Sequence, residues 1–169
     1  MSDFSIQGKV HKFGDNINTD LISPAPYIGK ADEIMIAHAM VGADPDFPQK
    51  VKPGDIMVAG KNFGSGSSRE TAPFVIKGSG IAVIIAEFYA RIFYRNAINI
   101  GLPVLTCASV SKINDGDELK VDPINGVILN VTTGEQYKCS ALPENIMELV
   151  KDGGLIPHYQ KRATCCGVR

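Results

Sequence analysis

Apolar positions along the chain follow two rhythms. Between residues 51 and 106, short unbroken apolar runs alternate with stretches in which apolar residues recur every three or four positions. Asp55 to Ala59 and the run Ile81 to Ala86 read as strands. Ser68 to Lys77 and Glu87 to Ile98 suit helices, and Leu102 to Thr106 gives a third strand. Apolar strands separated by helices are covered on both faces, which favours a parallel β-α-β-α-β unit with right-handed crossovers. After Cys107 the segments shorten and alternate: Glu118 to Val121, Val127 to Val131 and Gln136 to Cys139 are broken at Asn125-Gly126 and Thr133-Gly134, as in an antiparallel meander. Pro143 opens a helix to Lys151, with Gly153-Gly154 after its end.

The flanks are less regular. Gln7 to Phe13 reads as a strand feeding the polar loop Gly14 to Asp20, whose small residues bond their own backbone. Ser23-Pro24-Ala25-Pro26 bars a helix, and Asp32 is placed to cap one over Glu33 to Met40. Gly42 to Lys50 reads as irregular connection, and the end of the chain, within the last dozen residues and over 160–169, as a tail. The whole, residues 1–169, is expected to be a single α/β domain.

Composition narrows the function. With 17 Lys+Arg against 18 Asp+Glu and no basic run, the chain lacks the electrostatic footprint of a nucleic-acid binder. Its longest apolar run is far short of the roughly 20 residues that span a bilayer, so no membrane partner is expected. The start carries no secretory pattern, which gives a cytoplasmic expectation. Cysteines 107, 139, 165 and 166 form no C-x-x-C pair and read as reduced thiols rather than metal ligands, so no metal or cofactor is expected on this chain.

The chemistry concentrates in Asn62-Phe63-Gly64-Ser65-Gly66-Ser67-Ser68-Arg69-Glu70, between a strand and a helix. Two glycines allow close backbone approach, and serine hydroxyls with N–H groups at a helix N-terminus suit an anion. A serine cap with flexible glycines is the plain structural alternative. Arg69 tips the balance, because a cation in a first helical turn opposes the macrodipole and needs another use. Neither a dinucleotide fingerprint nor a phosphate loop is present, and His11, His38 and His158 lack a triad context.

Gly64-x-Gly66-Ser67-Ser68-Arg69-Glu70 resembles the signature of the aconitase superfamily's swivelling β/β/α domain, and the resemblance extends to Asp15 through Asp20 and to Phe88 through Pro103. The short chain and its lack of cluster-ligand cysteines resemble the separate small subunits of the isopropylmalate dehydratase type. That resemblance implies a large-subunit partner in a heterodimer or heterotetramer. A [4Fe-4S] cluster on that partner would bind the substrate's hydroxyl and carboxylate as a Lewis acid. The implied substrate is a small 2-hydroxy dicarboxylic acid, with 3-isopropylmalate/2-isopropylmalate of leucine biosynthesis foremost. Dimethylmalate, citramalate and homoaconitate-type acids are the alternatives, and a stand-alone organic-anion module is the competing class.

By the same resemblance Ser67 is the base, Arg69 the carboxylate ligand, and Ser65, Ser68, Thr19 and Asp20 border the substrate. Ionising an alkyl alcohol near neutrality costs more than ~4 kcal/mol and a helix terminus returns at most ~2 kcal/mol, so Ser67 needs a water-excluded site completed by a partner. Tyr27, Ile28, Gly29 and Lys30 match the loop that reads the variable substituent. Gly29 stands where the homoaconitase type carries an arginine, which favours an uncharged group, while the neighbouring Lys30 leaves an acidic one open. Arg91 and Arg95, four apart on one helical face, suit a structural or interface role.

Overall fold

The computed structural model describes residues 4–165. Strand β1 (Ile6–Lys12) leads through three short helices, α1 (Thr19–Ile22), α2 (Asp32–Ala37) and α3 (Phe47–Lys50), to β2 (Ile56–Ala59). Helix α4 (Thr71–Gly78), β3 (Val83–Ala86), α5 (Arg91–Asn99) and β4 (Val104–Thr106) complete the expected repeating unit. The meander follows as β5 (Glu118–Asp122), β6 (Val127–Asn130) and β7 (Gln136–Lys138), then α6 (Glu144–Lys151) and α7 (Leu155–Cys165).

All seven strands form one sheet in the order β4-β3-β2-β1-β5-β6-β7. The pairs among β1 to β4 are parallel, and β1-β5, β5-β6 and β6-β7 are antiparallel. The alternation within strands sorts two cores. Met57, Ala59, Ile84 and Ala86 face the helices, with Ile76 of α4 and Phe93 of α5. Ile56, Val58, Val83 and Ile85 point the other way and share a second core with Leu119, Ile128 and Tyr137 of the meander. For that to happen the sheet must curl until its antiparallel half covers the back of its parallel half. Ser140, just past β7, closes the curl: its N–H donates to the Thr106 carbonyl at the far edge, and its Oγ accepts from the Thr106 N–H, both at 2.8 Å.

Several boundaries differ from expectation because tertiary hydrogen bonds outrank local propensity. Ala31, not Asp32, occupies the cap of α2, and Asp32 lies inside the first turn, where its charge still favours the helix. Residues 42–50 end in the helical turn α3, with Pro48 in its first turn. α5 starts at Arg91 because the preceding backbone is taken: Phe88 O accepts from Phe63 N, and Ala90 N donates to Phe63 O. The expected tail is largely the helix α7. Its Pro157 sits within the first turn, where a missing N–H costs nothing. Asp152 ties it down, accepting from His158 Nδ1 at 2.7 Å and Lys161 Nζ at 2.6 Å, and those bonds hold its carboxyl below the usual range. The readings of Cys166 and of the Cys165 side chain as free thiols lie outside the described residues.

Candidate functional site

The loops leaving the carboxyl ends of β1, β2 and β3 are laced together. Gly60 N donates to Gly14 O, Asn16 N to Lys61 O, Gly64 N to Ile17 O and Thr19 N to Ser65 O, so the β1-β2 pairing continues as irregular backbone past the sheet. Glu87 N reaches Gly60 O, and the Phe63–Tyr89 bridge adds the third loop. Asn18 then caps α1, its Oδ1 accepting from the Asp20 and Leu21 N–H groups at 3.0 and 2.9 Å. Ligand sites in open α/β sheets lie at this end of the strands.

Two glycines make the geometry possible. Gly64 has φ +76, and a Cβ there would sit 2.2 Å from the Phe93 ring, so both conformation and space demand glycine. Gly66, at φ +109, turns the chain so that the next N–H meets Thr19.

Ser67 is half-buried, and its N–H donates to Thr19 Oγ1 at 3.0 Å. Its own Oγ accepts from the Arg69 N–H at 3.3 Å. Thr19 is only 3% exposed, so its hydroxyl fixes Ser67 rather than facing solvent. Asn96 of α5 was not anticipated. It is buried, and its Nδ2 donates to the Ser68 carbonyl at 3.1 Å, gripping the loop from the opposite side. The available signal was an asparagine on the buried stripe of α5, beside Phe93 and Ala97.

The serines are not at a helix N-terminus, as the sequence suggests. α4 begins at Thr71 behind a Glu70 cap, because Ser67 and Ser68 spend backbone groups on Thr19 and Asn96. Arg69 therefore precedes the helix instead of opposing its dipole, and the dipole's aid to Ser67 is correspondingly weaker. The Arg69 side chain is 44% exposed, and among the described residues its ion-pair contact is Asp20 Oδ1 at a loose 3.7 Å. Ser65 is half-buried and Ser68 exposed.

The 27–30 turn forms a separate stack. Tyr27 lies 3.7 Å from the His38 ring, with Lys30 Nζ 5.5 Å above Tyr27, while Ile28 is half-buried and Gly29 takes φ +79 in open space. Among the described residues, no hydrogen bond, ion pair or ring contact joins this turn to the Ser67 loop.

Residues 10–109 match the family described as the aconitase C-terminal domain. The chain belongs to that family. A Methanocaldococcus jannaschii protein named isopropylmalate/citramalate isomerase small subunit is 56% identical over 159 residues, spanning 93% of this chain and 95% of its own. The 3-isopropylmalate dehydratase small subunit of Nautilia profundicola is 55% identical over 152 residues, 89% of this chain and 92% of its own. In three dimensions, the crystal structure of a 3-isopropylmalate dehydratase from M. jannaschii superposes with a TM-score of 0.92 at 41% identity, covering 97% of this chain and 98% of that one. The aconitase-type swivelling fold is thus the fold of this chain, curled sheet included.

Aconitase-family chemistry draws on an iron-sulfur cluster, and the described residues do not fit one. Cys107 and Cys139 lie in or against the second core, where burial pushes both thiols up, Cys139 to about 12. Cluster ligation needs thiolates. Among the described residues there is also no group of three or more His, Cys, Asp or Glu side chains arranged for a metal ion. No described helix is long and apolar enough to cross a membrane.

Proposed function

We propose that this chain is the small subunit of a two-subunit hydro-lyase that interconverts 3-isopropylmalate and 2-isopropylmalate, a step of leucine biosynthesis. Sequence identity above one half with small subunits so named supports the activity. The observation that carries the site is the pairing of a Ser67 anchored by its N–H to Thr19 with an exposed Arg69 on laced loops. It amounts to half of a site, with its cation still turned to solvent.

The residues divide the work as follows. The substrate carboxylate docks on the planar Arg69 guanidinium, which can grip it through two parallel bonds. Ser67 Oγ takes the proton from the carbon beside that carboxylate as the C–O bond of the hydroxyl on the neighbouring carbon breaks, so a C=C bond forms and one water is released, and re-addition of hydrogen and hydroxyl to the exchanged carbons gives the isomer. The Arg69 N–H aimed at Ser67 Oγ favours its ionised form. Thr19 and Asn96 hold the loop so that the reacting oxygen does not wander. Ser65 and Ser68 add hydrogen bonds to substrate oxygens, and Asp20 holds Arg69 until a substrate displaces it. The Tyr27–Lys30 turn reads the substituent. There the Lys30 ammonium rests over Tyr27, consistent with an uncharged group such as isopropyl.

The reading assigns the cluster to the large subunit, which would close over the loops and exclude water. The pair works in the cytoplasm as a heterodimer or a heterotetramer, which sedimentation of the assembled enzyme tells apart. The test is anaerobic reconstitution with the large subunit, assayed against isopropylmalate, citramalate, dimethylmalate and homocitrate. Turnover of isopropylmalate by the pair and by neither chain alone is expected. A cluster-loaded wild-type pair that turns over none of the four acids overturns the proposal, and isopropylmalate binding by the isolated chain would favour a stand-alone anion module.

A further inference from the structure

Beside the laced loops lies a groove of about 690 Å³ between α5 and α6. Its walls include Phe88, Tyr94, Ile98 and Leu149, and its rim carries Arg91 and Arg95. Phe88, in the loop before α5, is 58% exposed, and Ile92, in the first turn of α5, is 50% exposed. An apolar patch of this kind on a small domain marks an interaction surface, and aromatic residues with arginine are what interface centres enrich.

Charge says what fits. Arg91 and Arg95 form no ion pair among the described residues, and no acidic residue lines the groove. Like charges four apart on a helix are mutually unfavourable, so the pair stands ready for an anion that the chain itself does not supply. Position says where the partner comes from. The Phe88 carbonyl accepts from the Phe63 N–H and the Ala90 N–H donates to the Phe63 carbonyl, so the segment lining one part of the groove is tied to the backbone of the loop that carries Ser67.

We propose that this groove docks a segment of the large subunit in which an apolar side chain enters between Phe88 and Leu149 and flanking carboxylates pair with Arg91 and Arg95. The inference rests on the functional reading above. Both arginines are exposed and outside the proposed chemistry, so charge reversal probes docking without dismantling the fold.

The experiment measures association of the co-expressed large subunit with wild type, R91E/R95E, F88S and S67A, by sedimentation at two salt concentrations, with thermal unfolding of each free chain alongside. R91E/R95E is expected to weaken the pair at least about 30-fold and to flatten its salt dependence. F88S is expected to weaken it at least about 5-fold, whereas S67A pairs like wild type but is inactive. Should R91E/R95E fold and pair as wild type does, the groove is not the dock. If the variants instead abolish self-association of the free chain, the occupant is a second copy and the proposal fails. A wild-type chain that forms no pair at all removes the functional reading and this inference together.

Discussion

The parallel and antiparallel halves of the sheet end their strands differently. In the meander each turn satisfies itself: Asp122 accepts from the Ile124 and Asn125 N–H groups, and Asn130 from those of Thr132 and Thr133. In the parallel half, each strand must be followed by a crossover, so the loop backbone at the strand's end has no local partner. It finds one in the neighbouring loop, as Gly64 does in Ile17 and Ser67 in Thr19. A hairpin turn spends its side-chain oxygens on its own backbone, whereas the laced crossover loops leave Ser67 with one long bond from the Arg69 N–H and Arg69 with one loose, largely exposed pairing to Asp20. Chemistry therefore collects at one end of one half.

Four measurements test that contrast. Ser67→Ala in the assembled enzyme should lower turnover roughly 10²- to 10⁴-fold with little change in KM, as for loss of a proton-transfer group. An active alanine variant would take the base away from the laced loops. The meander side should be inert by comparison. Cys139, pushed up to about 12 by burial, should be alkylated at pH 8 about three orders of magnitude more slowly in the folded chain than in the unfolded one, where the thiol titrates near ~8.5. The linkage has a sign: a raised thiol contributes stability below the unfolded value and loses it as pH climbs toward the folded one. Rapid labelling of the native chain would contradict this.

Arg69→Lys comes next, keeping the charge and losing the fork. KM is expected to rise about 10- to 150-fold, equivalent to ~1.5 to 3 kcal/mol, with the unfolding midpoint unmoved. Unaltered kinetics would make Arg69 a solvated surface charge. The smallest effect is the mirror image. Asn130→Ala, which removes two turn bonds and a 2.7 Å bond to Asp117, should cost about 1 to 2 kcal/mol in denaturant unfolding and leave the kinetics of the pair alone. Lost turnover in a folded Asn130→Ala pair would show that the halves are not separable.

Much of this architecture was legible in the sequence because its signals are local. Apolar runs marked β2, β3 and β4, and Asn125-Gly126 and Thr133-Gly134 marked the meander turns. The short helices α1 and α3 were hidden, since four residues carry no period. The start of α4 was misplaced for a different reason: Ser68 is a fair helix opener until Asn96, 28 residues on, takes its carbonyl. The site divides the same way. The motif named Ser67 and Arg69, but that Thr19 turns its hydroxyl inward to Ser67 depends on a contact across 48 residues. Helix α7 escaped notice because Pro157 and a polar run look like chain end, and only Asp152's grip on His158 and Lys161 shows otherwise.

The Ser140–Thr106 clasp bears on the subunit's life before assembly. A subunit synthesised apart from its partner spends time alone, and an open sheet offers its outermost strand as a template for adding another chain. Here the outward N–H and C=O of Thr106 at the end of β4 are already taken by a residue from the opposite end of the sheet. The two margins of the sheet guard each other, so a waiting subunit has less opportunity for strand exchange or fibrous association than its seven-stranded order suggests.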